Sequence, residues 1–101
     1  AEQHESARVR VLNGTDRVGF AALTGSFLKD KGFVIARIDD ADRADYAQTV
    51  IVDHVGKPVA SRAIARLLGV PEAAVTQAEG DDDEVDLTVI LGQDAKLPGR
   101  D

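Results

Sequence analysis

The stretch Val9–Thr15, VRVLNGT, continued by Asp16-Arg17-Val18-Gly19-Phe20, decides how this chain is read. Its alternation of apolar and polar positions is that of a strand, Asn13-Gly14 breaks the run, and an apolar segment of helical period follows. Strand, glycine turn, helix is the layout of a phosphate-binding loop. The chemistry of such a loop is missing. Gly14 and Gly19 have the spacing of a Walker loop, but Phe20-Ala21 stand where a lysine and a hydroxyl residue would hold the phosphates and magnesium. The three-glycine dinucleotide fingerprint also fails. Asn13-Gly14-Thr15 matches a glycosylation sequon, which has meaning only in a eukaryotic secretory host. Two readings stay open. In the first, Asn-Gly supplies a left-handed turn, Thr15 or Asp16 caps the helix, and Gly19 lets it pack closely on the sheet. The second adds that free backbone N–H groups and Arg17 at the helix N-terminus hold a phosphate or carboxylate.

Outward from this stretch the pattern is regular. Arg8–Leu12 is the first strand, and Phe20, Leu23, Phe27 and Leu28 recur at helical spacing, which predicts a helix over 17–31 stopped by Gly32. Phe33–Ile38 reads as the second strand, Asp39–Asp45 as an acidic loop, and Gln48–Asp53 as the third strand. Pro58 opens a second helix, 58–68, with Ala60, Ala63, Ile64, Leu67 and Leu68 as its apolar stripe and Gly69 at its end. Residues 72–74 suit a helical turn and 75–77 a short edge strand, and Val85–Leu91 is a strand with Val85, Leu87, Val89 and Leu91 on one face. An offset of forty places Val9/Val11 on Thr49/Ile51 and Phe27/Leu28 on Leu67/Leu68, a weak echo of a βαβ unit used twice. The expected fold is α/β (α+β): a two-layer sandwich in βαββαβ order, with a mixed or antiparallel sheet of 4–5 strands and two helices on one face. Phe20, Leu23, Phe27, Ile64, Leu67, Val11, Ile35, Ile51 and Val89 are the expected core.

The chain's 101 residues make one domain. Residues 1–7 read as a linker remnant or tail, 8–95 as the domain and 96–101 as a second tail. No run of the ~18–20 apolar residues needed to span a membrane is present, so any anchor lies outside this chain. The lack of cysteine excludes disulfides, thiolate zinc sites and cysteine nucleophiles, and leaves the redox compartment open. A net charge of −6, with twelve scattered basic residues, argues against a nucleic-acid partner.

The other candidate sites are weaker. His4 and His54 read as surface or loop histidines, and Ser6, Ser26 and Ser61 carry no nucleophile motif. The run Glu79–Glu84 with Asp86 has calcium-compatible carboxylates but lacks the glycine and distant glutamate of an EF-hand, so it reads as a solvated loop without a metal site. Arg62 and Arg66 lie one turn apart on the polar side of the second helix, and Tyr46 is the one ring expected outside the core. No cofactor is implied.

VRVLNGT, Gly19-Phe20-Ala21, Lys31-Gly32-Phe33-Val34, Asp42–Ile51 and Val89-Ile90-Leu91-Gly92-Gln93-Asp94 occur in an order that resembles the LytR C-terminal domain family over residues 9–94. Asp16 departs from it, standing where a small residue, often glycine, is expected. The resemblance implies an extracytoplasmic bacterial domain, usually actinobacterial, located in the cell envelope. Such domains occur in LytR-CpsA-Psr proteins, whose separate catalytic domain transfers glycopolymer to peptidoglycan, or in small membrane-anchored envelope proteins. The implied role is non-catalytic binding of cell-wall glycan, a lipid-linked precursor or an envelope protein. With ferredoxin-like pairing, loops 13–18, 39–47 and 69–85 share one end of the domain. That end collects the candidate binding residues Asn13, Thr15, Arg17, Arg43 and Tyr46, and leaves 54–57 and 92–94 at the opposite end. Its mixture of arginines and carboxylates suits a polar partner better than a free phosphate.

Overall fold

A computed structural model describes residues 7–54, 58–71, 75–77 and 85–95. The elements run β1 (Arg8–Asn13), α1 (Phe20–Asp30), β2 (Val34–Asp40), β3 (Val50–Asp53), α2 (Pro58–Leu68), β4 (Val75–Gln77) and β5 (Leu87–Leu91). The five strands form one sheet in the order β2-β1-β5-β3-β4. β1 pairs in parallel with both β2 and β5, β3 pairs in parallel with β4, and the β3–β5 pair alone is antiparallel. Two parallel βαβ units thus flank β5. Their right-handed crossovers put both helices on one face, and Leu28 of α1 and Ile64 and Leu68 of α2 share a single core with Val9, Val11, Ile51, Leu87 and Val89. This is the expected two-layer sandwich.

The ferredoxin-like pairing is not found. In that arrangement the first strand has antiparallel neighbours, whereas β1 here lies between two parallel ones. The strand ends redistribute accordingly. Asn13, Asp40 and Leu91 finish, and Val50 begins, at one end of the sheet. β5 therefore starts at the opposite end, where Asp86 N–H donates to Arg8 O and His54 N–H to Asp86 O. The loop ahead of β5 does not end beside the first one as expected, and Gly92–Asp94 moves to the Asn13 end.

The two units repeat one packing scheme. The residues α1 buries are Phe20, Ala21, Thr24, Gly25 and Leu28, and the positions forty further on, Ala60, Ser61, Ile64, Ala65 and Leu68, are those α2 buries. Both helices end at a left-handed glycine, Gly32 or Gly69, followed by a buried apolar residue, Phe33 or Val70, whose N–H returns to the helix. The alignment leaves Leu23 on the outer face, 41% exposed, and Phe27 only partly buried, so Leu23 drops out of the expected core. In β2 the register shifts opposite Val9/Arg10. The bulge lets Ile35 and Ile38, three residues apart, both reach α1, where a Cβ on Gly25 would lie 2.8 Å from Ile38 Cδ1. Ala7, placed by the sequence in the tail, is fully buried and its carbonyl accepts from Val34 N–H.

Candidate functional site

At the carboxyl end of β1 the chain must turn from a buried strand into α1, and Asn13 organises that turn. Its Oδ1 accepts from Thr15 N–H at 2.9 Å and from Thr15 Oγ1 at 2.7 Å, while its Nδ2 donates to Arg17 O at 2.8 Å. Thr15 Oγ1 in turn accepts from Arg17 N–H at 3.1 Å. The helix starts at Phe20 rather than at residue 17, because Arg17–Gly19 form a turn. Its N-cap is Gly19 at φ 78°, with no side-chain cap, so neither Thr15 nor Asp16 caps it. The two glycines have exchanged their expected roles. Gly14 is not left-handed, but a Cβ there would lie 2.6 Å from both Leu91 O and Tyr46 Cδ1. Gly19 meets nothing within 4 Å and supplies the positive φ. The N–H groups of Gly14, Thr15 and Arg17 are taken by Leu91 O, Asn13 Oδ1 and Thr15 Oγ1. A cradle of loop amides would have to do without these three.

The 41–49 segment is fastened across this turn. Ala41 N–H donates to Asn13 O, Tyr46 N–H to Gly14 O, and Gln93 N–H to Tyr46 O. Buried Thr49 joins the same end to the chain after β5: its N–H and Oγ1 both donate to Asp94 Oδ1 at 2.8 Å, and its Oγ1 accepts from Gly92 N–H at 3.0 Å. Gly92 allows no side chain, since a Cβ would stand 2.3 Å from Gln48 C.

Between the two loops lies an open groove of about 400 Å³, lined by Asn13, Thr15, Arg17 and Arg43 together with Asp16 and Asp40. Arg17 lies over the Phe20 ring at 4.7 Å and donates from Nη2 to Gln93 O at 3.3 Å. Arg43 lies over the Tyr46 ring at 4.3 Å and pairs through Nε with Asp45 at 2.8 Å. Both guanidinium groups thus lie over aromatic rings, with donors left over for a ligand. Tyr46 stands behind the groove. Its ring packs on Gly14 and under Arg43, and its hydroxyl donates to Asp42 Oδ1 at 2.7 Å. That hydrogen bond, with burial and the Asp42 charge adding to it and Arg43 opposing, pushes the phenol above its ordinary pKa.

Four of the five sequence-predicted residues therefore border one groove, and Tyr46 supports Arg43. Sequence reasoning did not single out the Thr49–Gly92–Asp94 lock; its trace is the closing Gly92-Gln93-Asp94 segment, which only the family resemblance marked. At the opposite end His54 stands in the bend after β3, a loop histidine but a buried one, and its Nε2 lies 2.8 Å from Thr88 Oγ1. Arg62 and Arg66 are exposed on α2. The acidic run 79–84 and His4 lie outside the described residues. Among the described residues no cluster of metal-ligating side chains occurs, and no helix is long and apolar enough to cross a membrane.

The family model described as LytR cell envelope-related transcriptional attenuator matches residues 6–94. Among solved structures, the chain is similar to the crystal structure of the soluble domain of a conserved hypothetical secreted protein, the Rv2700 ortholog from Mycobacterium marinum. The TM-score is 0.59 at 24% identity, over 94% of this chain and 64% of that one. It is also similar to the solution structure of the C-terminal domain of RV0431, with a TM-score of 0.53 at 28% identity, over 85% of this chain and 71% of that one. The chain spans just under two thirds of the first of these, and at that identity the likeness shows a shared fold alone. No curated protein matches the chain.

Proposed function

Since the chain belongs to the LytR C-terminal domain family through residues 6–94, we propose that it is a non-catalytic, extracytoplasmic binding domain of a bacterial cell-envelope protein. In this reading the parent is a LytR-CpsA-Psr protein that attaches glycopolymer to peptidoglycan. The domain engages wall glycan, a lipid-linked precursor or an envelope protein through the groove at the carboxyl ends of β1 and β2. A small membrane-anchored envelope protein is the alternative parent, and the same surface would serve there. The observation that carries the proposal is the groove itself: on one wall Arg17 lies over Phe20 on a turn that Asn13 and Thr15 bond together, and on the other Arg43 lies over Tyr46 and pairs with Asp45. Binding rather than catalysis is favoured because His54, the histidine among the described residues, is buried at the other end of the sheet.

The test is an amide-shift titration of the folded domain with solubilised wall fragments. Shifts at residues 14–19 and 41–46 that shrink as salt is added, and that Arg17→Ala reduces while the rest of the spectrum is kept, are the expected result. Shifts confined to the opposite end, around His54 and Asp86, would refute the assignment. Tyr46→Phe is the informative change at that position, because Tyr46→Ala would also remove the support under Arg43.

A further inference from the structure

The proposed binding surface has a charge pattern that narrows its ligand. Four charged side chains line the groove, Arg17, Arg43, Asp16 and Asp40. Arg43 already has a carboxylate partner in Asp45. Arg17 has a carbonyl and a ring but no carboxylate, and Asp16 and Asp40 form no ion pair among the described residues. The groove therefore presents one uncompensated guanidinium beside two uncompensated carboxylates. A free phosphate or polyanion would satisfy the arginine and be repelled twice. A purely cationic group would satisfy the carboxylates and be repelled once. A neutral sugar would leave all three charges to water.

We infer that the groove takes a zwitterionic peptide segment, whose carboxylate lies on Arg17 in the planar two-bond geometry that guanidinium offers and whose ammonium lies between Asp16 and Asp40. A carboxylate and ammonium groups on one short peptide match the count and sign of the open charges, including the excess negative one. The inference rests on the reading of this groove as the binding surface and adds the chemical class of what enters it.

The probe is alanyl-lysine, which carries one carboxylate and two ammonium groups, titrated into the labelled domain at low salt. The controls are its amide, its doubly acetylated form, inorganic phosphate and chitobiose. Shifts should appear at residues 15–19 and 40–44, with affinity in about the millimolar range for exposed ion pairs, and each blocked form should bind roughly three- to fivefold more weakly. Arg17→Ala should abolish the difference between the dipeptide and its amide. Asp40→Asn should diminish the difference between the dipeptide and its acetylated form. Equal binding by a blocked form, by phosphate or by chitobiose, or no shifts with alanyl-lysine, would overturn the inference. The two claims fail separately. Wall fragments that shift the groove when alanyl-lysine does not would leave the binding surface standing and remove the zwitterion; the reverse result would keep the zwitterion and remove the wall fragment as its source.

Discussion

Replacing Gly14 by alanine tests the central joint of the structure. The new Cβ would stand 2.6 Å from Leu91 O and 2.6 Å from Tyr46 Cδ1, about 1 Å inside ordinary contact. Neither neighbour yields freely: Leu91 O accepts from Gly14 N–H at 3.0 Å, and the Tyr46 backbone is bonded to Gly14 O and to Gln93 N–H. The φ of Gly14 is not positive, so the cost is steric alone and takes the overpacking range of about 1–3 kcal/mol. A 2 kcal/mol loss in a domain of this size lowers Tm by roughly 8–16 °C. Gly19→Ala is the matched control. It meets no atom within 4 Å but must hold φ 78°, which costs about 1 kcal/mol and leaves Tyr46 and Gln93 undisturbed. The assay is urea unfolding of both variants together with their amide spectra. A Gly14→Ala loss below about 0.5 kcal/mol, with unchanged Tyr46 and Gln93 resonances, would refute the close approach of the two loops.

Three further outcomes are expected. Leu28→Ala, at a fully buried position, should cost about 2–5 kcal/mol by urea unfolding, and Leu23→Ala, on the outer face, less than about 1 kcal/mol; a reversed order would mean that α1 faces the other way. Thr49→Val removes the hydroxyl's one donated and one accepted bond at a buried site and keeps the backbone N–H bond to Asp94, so about 1–3 kcal/mol should be lost, and the Gly92 amide should move. Tyr46, the chain's single tyrosine, should titrate above 10.0 in ultraviolet absorbance, and Asp42→Asn should bring it down. The bond's stabilisation is complete below the unfolded pKa of 10.0 and is lost as pH rises through the folded one, because the folded state holds the proton longer. An unchanged titration in Asp42→Asn would show that the hydroxyl does not meet Asp42.

Much of the architecture was legible because hydrophobic period is a local property. The stripe Ala60-Ile64-Leu68 and the alternation of Val85, Leu87, Val89 and Leu91 each name an element and its buried face without outside help. Strand pairing is not local, and nothing in Val9–Leu12 says that both neighbours run parallel. Ile35 and Ile38 looked like a plain β-branched run because a bulge leaves no mark on composition. Leu23 has the spacing of a core residue, and only the packing of Thr24 and Gly25 against the sheet shows that the buried stripe lies to one side of it. The site behaved in the same way. Asn13, Thr15 and Arg17 are neighbours in sequence and were found together. Asp40 and the start of β3 were also expected at that end, whereas Asp94 reaches it only through the pairing order.

That order also argues for where a ligand should go. In sheets of parallel βαβ units, the carboxyl ends of strands form crevices, because the following helices diverge there. This molecule has two such ends. β1, β2 and β5 finish at one, and β3 and β4 at the other. The two units are alike enough that Asn13 and Asp53 occupy matching places, each buried at the last position of its strand and forty residues apart. At the first end three parallel strands finish side by side, with β1 in the middle, and the 41–49 segment is tied back across it at Ala41 and Tyr46. Two fixed walls result, with charged side chains between them. At the second end buried His54 lies on Thr88. The asymmetry arises from β5: by pairing parallel to β1 and antiparallel to β3, it adds a third carboxyl end to the first unit's edge and none to the second's.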